Sequence, residues 1–155
     1  MRAIGVCNFL PDRLVDLILT HSVVPAVNQI ELHPFCQQQA LRQVMAAYHI
    51  QPMAWAPFAE GQGNLFHHPV LSAIGQAHGK TPAQVVLRWL RQEGIVAIPK
   101  SVHPQRIWEN WDIEDFTLSP GELTQIRALD QNRSWILDVP NLTEVYRLHN
   151  IPVSQ

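Results

Sequence analysis

The sequence predicts an α/β fold built from parallel strand-helix units, and three observations predict it. Four short apolar runs, RAIGV, PAVNQIEL, QPMAWAP and GIVAIPK, are continuous rather than alternating, which is typical of parallel strands covered on both faces. Segments with helical spacing of apolar residues lie between them. The first two intervals between strand starts are each about 25 residues, a spacing that suits βα units. Such a chain forms either a small doubly wound domain or part of a (β/α)₈ barrel.

The helices are predicted from apolar residues that recur on one helical face. The members are Leu10, Leu14, Leu17 and Ile18 in the first helix, Leu41, Val44, Met45 and Tyr48 in the second, and Val85, Val86, Trp89 and Leu90 in a later one. Thr81 and Ser119 each precede a proline and stand three residues before Gln84 and Glu122. This spacing predicts an N-cap with a capping box at both positions.

An interruption over residues 59–80 separates the third strand from the later helix. It is rich in Gly and His, includes the segment EGQGN, and is predicted to contain a short helix over residues 70–78. A long insertion after a strand is typical of a binding loop or lid. After Asp130 the periodicity weakens, and VPNLTEVYRLHN predicts a final short helix followed by a tail.

Composition and charge exclude several classes of protein. The chain has 155 residues, of which 46% are hydrophobic, enough for one buried core. A net charge of −2 without a basic block argues against nucleic acid or an anionic membrane as a partner. No apolar run approaches a membrane span or a signal peptide, and the two cysteines, Cys7 and Cys36, lack CxxC spacing. A cytoplasmic protein with reduced thiols is therefore expected.

Eight histidines raise the question of a metal site. His67 and His68 are adjacent rather than one helical turn apart, and no Cys or carboxylate stands at ligand spacing nearby, so no dedicated metal site is expected. His33 is expected to shape a pocket at a strand end. Ser119 and Ser134 lack the GxSxG context of a serine hydrolase.

Polar and aromatic residues stand at the ends of the predicted strands. They are Cys7 and Asn8 after the first strand, Asn28, Gln29 and Glu31 in the second, Trp55 in the third, and Lys100 and Ser101 after the fourth. In a barrel the carboxyl ends of parallel strands meet at one rim, so these side chains would surround a common mouth. Amides can pair with a carboxamide, an indole can stack on a ring, and Lys, Ser and the nearby Arg106 can hold a phosphate.

Taken singly, each of these residues has an ordinary structural role. Asn8 and Gln29 would more often satisfy neighbouring backbone groups than bind a ligand. Trp89, Trp108 and Trp111 are expected to be packing residues. Only the joint arrangement at strand ends indicates a nucleotide site, and the absence of GxGxxG after the first strand disfavours a Rossmann domain.

Five segments in unbroken order, from Arg2 to about Asp130, resemble one family. IGVCNF, NQIELHP, AWAPFAEG, GKTPAQVVLRW and IPKSVHPQRIWEN are similar to consecutive signatures of the C-terminal half of the aldo-keto reductases, above all of the bacterial branch that includes the 2,5-diketo-D-gluconic acid reductases. The resemblance implies that residues 1–130 form the NADP(H)-binding second half of a TIM-type (β/α)₈ barrel, strands five to eight. Residues 131–155 would be a C-terminal loop and tail segment with extra helices.

The resemblance also implies the cofactor-binding residues. Asn8 and Gln29 would hold the nicotinamide carboxamide, Trp55 would stack on the nicotinamide ring, and Ala56 and Phe58 would approach the pyrophosphate; Lys100, Ser101 and Arg106 would grip the 2′-phosphate, and Glu109 and Asn110 would meet the adenine. Cys7 joins this set at a position that is serine in most members. A thiol is a weaker donor than a hydroxyl.

The family's proton donor is a tyrosine assisted by lysine, aspartate and histidine, and the resemblance places all four in the first half of the barrel. Lys80, Tyr48 and Tyr146 are expected to be structural here. The resemblance therefore implies an oxidoreductase of small carbonyl substrates, but little or no turnover by this chain alone. A complementing N-terminal half or a second copy would cover the open sheet edges. A non-catalytic nucleotide-binding or interaction module, and an inactive truncation product, stay open as alternatives.

Overall fold

The computed structural model describes residues 1–151 and contains one four-stranded parallel sheet whose strand order follows the chain, β1-β2-β3-β4. The strands are β1 (Gly5–Cys7), β2 (Val27–Glu31), β3 (Gln51–Trp55) and β4 (Val96–Ala97). Cys7 lies beside Gln29, and Glu31 lies beside Trp55. The prediction of parallel strand-helix units is confirmed.

The helices connect the strands and follow the last one. They are α1 (Pro11–Thr20), α2 (Gln39–Ala47), a kinked 3₁₀ segment (Ala59–His67), α3 (Pro69–His78), α4 (Pro82–Gln92), α5 (Pro104–Trp111), α6 (Pro120–Arg127) and α7 (Leu142–His149). The helices predicted over residues 70–78 and near residue 145 are present as α3 and α7. The predicted tail lies partly outside the described residues, from position 152 onward.

Local sequence determines where α4 and α6 begin. The Thr81 hydroxyl accepts from the Gln84 backbone N–H at 3.3 Å, and the Gln84 side chain accepts in return at 3.0 Å. Ser119 and Glu122 repeat the arrangement at 3.3 and 2.7 Å. Both predicted capping boxes are confirmed, and each cap stabilises its helix by about 1 kcal/mol.

The core lies between the sheet and the helices that follow its strands. Leu14 of α1, Met45 of α2 and Leu90 of α4 are fully buried together with Ile30 of β2. Trp89 is also buried, so its predicted packing role is confirmed. The apolar faces read from the sequence therefore face the sheet.

Two expectations about burial are wrong. The strands are not all covered on both faces, because Val96 of β4 is 43% exposed and β1 is largely exposed. Trp108 and Trp111 of α5 are not packing residues, being 62% and 78% exposed. The reason is common to both: within residues 1–151 no element packs over these side chains.

No helix within residues 1–151 combines the length and the apolar character that crossing a membrane requires.

Candidate functional site

Asn8 and Trp55 are joined at the carboxyl ends of their strands. Asn8 follows β1 with φ 56°, a left-handed conformation that asparagine tolerates better than most residues. Its backbone N–H donates to the Gln29 carbonyl at 2.8 Å. Its side-chain Oδ1 accepts from Trp55 Nε1 at 2.8 Å, which fixes one edge of the indole. Within the described residues the Asn8 amide NH₂ has no partner and can donate to a ligand.

Gln29 and Cys7 form the second pair at this rim. The Cys7 thiol donates to Gln29 Oε1 at 3.9 Å, and Gln29 Nε2 donates to the Met53 sulfur at 3.5 Å. Burial raises the pKa of the Cys7 thiol, so it stays protonated at neutral pH. Sulfur is a weak hydrogen-bonding partner, and a ligand can therefore displace either contact.

Asn28, the residue before Gln29, has the structural role of satisfying backbone groups. Asn28 is fully buried, and its Nδ2 donates to the Phe9 carbonyl at 2.9 Å. Its Oδ1 accepts from the Phe9 backbone N–H at 3.4 Å. Asn28 thus holds the segment after β1 in place, and Asn8 and Gln29 are not needed for these two hydrogen bonds.

Six of the other predicted residues line one groove of about 540 Å³. They are Phe58, Lys100, Ser101, Arg106, Glu109 and Asn110. The groove lies where the segment after β4 and helix α5 approach the 3₁₀ segment and the start of α4, which contribute His67 and Thr81. The fold therefore brings these six positions to one groove, and their role in binding a cofactor stays a prediction.

Two cations of the groove have no ion-pair partner among the described residues. Among residues 1–151 neither Lys100 nor Arg106 forms an ion pair, whereas Lys80 binds Asp112 and Asp115 at 2.8 Å each. The Ser101 hydroxyl accepts from the His103 backbone N–H at 3.2 Å. Two unpaired cations beside a hydroxyl are a donor set that fits a phosphate.

The eleven predicted residues thus fall into two groups rather than one contact cluster. Cys7, Asn8, Gln29 and Trp55 occupy the strand ends, and the six groove residues form the second group. Ala56 connects them along the chain and has φ 47°, a conformation that costs an alanine roughly 1 kcal/mol or more. Within residues 1–151 there is no group of three or more metal-ligating side chains.

Sequence reasoning missed a connection between Glu31 and Ser134. The sequence offers Ser134 only as a nucleophile without its context, yet the Ser134 hydroxyl donates to the Glu31 carboxylate at 2.5 Å. Glu31 is 2% exposed. The signal in the sequence is a carboxylate inside an apolar run, because a buried charge requires partners. The sequence could not show that most of these partners lie more than 100 positions away, in residues 134–137.

Known proteins are similar to this chain over most of its length. The model of the Aldo/keto reductase family matches residues 1–131. An aldo-keto reductase of Mycolicibacterium smegmatis is 50% identical over 133 residues, which are 86% of this chain and 48% of the relative. The methylglyoxal reductase DkgA of Escherichia coli K12 is 46% identical over the same shares of the two chains. This chain spans about half the length of the curated relatives it matches.

Solved structures show the same relation. MGS-M4, an aldo-keto reductase from a deep-sea metagenome library, superposes with a TM-score of 0.87 at 34% identity, covering 91% of this chain and 52% of that one. A point mutant of Gox0644 in complex with NADPH superposes with a TM-score of 0.81 at 40% identity, covering 86% and 49%. The four parallel strands thus match part of an aldo-keto reductase (β/α)₈ barrel, and the chain belongs to the aldo/keto reductase family.

Proposed function

We propose that residues 1–130 are the C-terminal, NADP(H)-binding half of an aldo-keto reductase barrel, with residues 131–155 as its C-terminal segment. The completed barrel reduces a small aldehyde or ketone to an alcohol. Among bacterial members we place the chain near the 2,5-diketo-D-gluconic acid reductases. The observation that carries the proposal is the groove lined by Lys100, Ser101 and Arg106, in which neither cation has an ion-pair partner among the described residues.

In this proposal each group of residues binds one part of the cofactor, which supplies the hydride. The Asn8 amide and Gln29 hold the carboxamide, with Cys7 beside them, and the indole of Trp55 offers its face to the nicotinamide ring. Ala56 and Phe58 approach the pyrophosphate. The 2′-phosphate is held by Lys100, Ser101 and Arg106. Glu109 and Asn110 contact the adenine. Recognition of the 2′-phosphate would select NADPH over NADH. The NADPH complex of a structure 40% identical to this chain supports NADPH as the cofactor.

We also propose that the chain alone has little or no turnover. Carbonyl reduction needs a proton donor beside the developing alkoxide. Lys80 is bound by Asp112 and Asp115, whose hydrogen bonds raise its pKa and keep it charged. Tyr48 follows α2, and Tyr146 lies on α7. Within residues 1–151 none of these side chains forms a hydrogen bond with Asn8 or Trp55.

Completion of the barrel requires four further strand-helix units, from a complementing N-terminal half or a second copy of the chain. The open edges of β1 and β4 and the exposed apolar face of α5 support this proposal. Unpaired strand edges and apolar faces are unfavourable in water and favour association.

The test is a titration with NADPH monitored by tryptophan emission, because Trp55 lies in the proposed site. We expect NADPH to quench the emission. Lys100→Ala and Arg106→Ala should each weaken the affinity for NADPH by about 10-fold or more, since a charge-assisted hydrogen bond contributes about 1.5–3 kcal/mol. NADH, which lacks the 2′-phosphate, should bind weakly and be insensitive to either change.

Arg147→Ala is the matched control. It removes one positive charge from α7, where Arg147 pairs only with Glu144 among the described residues, and should leave the affinity for NADPH unchanged. No response at millimolar NADPH would favour the inactive truncation product. Equal responses to NADPH and NADH would contradict the assignment of Lys100 and Arg106.

A further inference from the structure

The end of β2 contains a buried carboxylate with an unusual number of donors. Glu31, the last residue of β2, is 2% exposed. Its Oε1 accepts from His33 Nε2 at 3.1 Å and from the backbone N–H groups of Trp135 and Ile136 at 2.7 and 3.3 Å. Its Oε2 accepts from the Ser134 hydroxyl at 2.5 Å and from the Leu137 backbone N–H at 3.2 Å. A buried carboxylate is tolerated only with such compensation.

Four of these five donors come from one short segment, residues 134–137, here called the latch segment. Its successive N–H groups surround the carboxylate, an arrangement typical of an anion-binding nest. The latch segment lies outside the helices and strands, so these N–H groups have no helical or sheet partners. Glu31 therefore supplies the acceptor around which the latch segment is shaped.

Aromatic packing adds a second set of contacts to the same segment. Trp135 stacks on Phe35, with ring centroids 4.8 Å apart and an interplanar angle of 15°. His33 meets the edge of Trp135 at 6.0 Å. A Cβ at Gly63 would lie only 2.5 Å from the Trp135 ring, so the indole occupies the space beside the 3₁₀ segment. The latch segment is thus held between β2 and the 3₁₀ segment.

The latch segment leads directly into a wall of another groove. Leu137 and Val139 line a groove of about 510 Å³ together with Cys7, Asn8 and Phe9. The position of this wall depends on where the latch segment is anchored. The Glu31 contacts therefore act, through the latch segment, on the space beside Asn8.

We infer that Glu31 is a positioning residue: its carboxylate fixes the latch segment on the carboxyl end of β2 and so sets the wall of the groove next to Asn8. Glu31 itself does not line that groove. The inference concerns the folded chain and holds whether or not NADPH binds, so its tests are independent of those of the proposed function.

Limited trypsin digestion tests the anchoring, because the Arg133–Ser134 bond borders the latch segment and Arg133 is exposed. We expect Glu31→Ala to raise the cleavage rate at Arg133 at least 10-fold while cleavage at Arg91, on α4, stays unchanged. Glu31→Gln should have a smaller effect, since its amide oxygen still accepts from part of the donor set. Asp12→Ala, which removes an exposed carboxylate on α1, is the matched control.

Alkylation by iodoacetamide tests the wall. In Glu31→Ala the labelling rate of Cys7, measured by peptide mass spectrometry against the rate in the fully unfolded protein, should rise at least threefold. Unchanged cleavage at Arg133 would overturn the anchoring, and so would an equal rise at all sites, which indicates global unfolding. Increased cleavage with unchanged Cys7 labelling would overturn the role in the groove. If Glu31→Ala does not fold, Ser134→Ala carries the same tests with smaller expected effects.

Discussion

At the scale of single residues, the candidate site depends on how side chains engage one another at the strand ends. The sequence predicts Asn8 and Trp55 as site residues because each stands at the end of a predicted strand. It does not predict the bond between them, which arises because β2 sets β1 and β3 at a fixed separation. Contacts between strand ends need the register of the sheet, which no local pattern specifies.

Substitution of Trp55 separates stacking from hydrogen bonding. Trp55→Ala should weaken NADPH binding about 10-fold through loss of the aromatic face. Trp55→Tyr keeps an aromatic ring but loses the Nε1 donor to Asn8, and should weaken it by no more than about threefold. Calorimetric titration measures both affinities. Equal losses in the two variants would show that the ring face is not the important contact.

The protonation of Glu31 predicts a dependence of stability on pH. Burial by itself would raise the pKa of Glu31, but hydrogen bonds from His33, Ser134 and the backbone of Trp135 and Leu137 together lower it. A carboxyl with a lowered folded-state pKa stabilises the fold above its ordinary pKa, and this contribution is lost as pH falls through the folded-state pKa.

Thermal unfolding of wild type and Glu31→Gln between about pH 7 and pH 3 measures this contribution, since ordinary glutamate titrates near 4.3. We expect wild type to be the more stable protein at pH 7 and the difference to shrink toward pH 3. A difference that stays constant down to pH 3 would show that the Glu31 charge does not stabilise the fold.

At the scale of elements, the sequence predicts those features whose interacting residues lie close together in the chain. The starts of α4 and α6 are readable because Thr81 and Ser119 find their partners three residues away. The 3₁₀ segment is predicted only as an insertion, because its shape depends on Phe35 and Trp135, which are distant in the chain. β4 is shorter than its apolar run, since among residues 1–151 only β3 pairs with it.

Two glycines with similar backbone conformation provide a matched test of the 3₁₀ segment. Gly63 has φ 63° and Gly79 has φ 65°, but a Cβ meets Trp135 at 2.5 Å at the first and no atom within 4 Å at the second. Gly79→Ala should cost about 1 kcal/mol of unfolding free energy from strain alone. Gly63→Ala should cost about 1–3 kcal/mol more because the indole must move.

Urea unfolding of both glycine variants gives the comparison. Equal losses of stability would mean that Trp135 yields without cost, and would place the indole elsewhere than between Phe35 and Gly63. A larger loss for Gly63→Ala, accompanied by faster tryptic cleavage at Arg133, would connect the 3₁₀ segment to the latch segment.

At the scale of the whole molecule, the described chain presents an open sheet with apolar surface at its boundary. Ile107, Trp108 and Trp111 of α5 are all more than half exposed. The sequence predicts Trp108 and Trp111 as packing residues, but within residues 1–151 they have no element packed over them. Exposed tryptophans of this kind are typical of association surfaces.

Association should depend on these tryptophans. By size-exclusion chromatography with light scattering we expect the chain to associate, and Trp108→Ser combined with Trp111→Ser to weaken that association at least 10-fold with little change in unfolding temperature. Trp89→Ser, which alters a buried tryptophan, should instead reduce stability. A stable, well-folded wild-type monomer would contradict closure by a second copy.

Reductase activity should require the other half of the barrel. NADPH oxidation with a panel of aldehydes should be near background for the chain alone and should appear when an N-terminal half from a family member is supplied. Lys100→Ala should lower the complemented activity by raising the KM for NADPH. Robust turnover by the lone chain would contradict the proposed absence of a proton donor.

The strand order carries a consequence for how the molecule is made. Each strand pairs with the one synthesised just before it, so the sheet can assemble progressively as the polypeptide emerges. The contacts of Glu31 form later, because its partner Ser134 follows 103 positions after it. Before residues 134–137 exist, His33 is the one donor of this set within reach, so the carboxylate must remain hydrated. Glu31 can therefore be buried only after Leu137 has been synthesised.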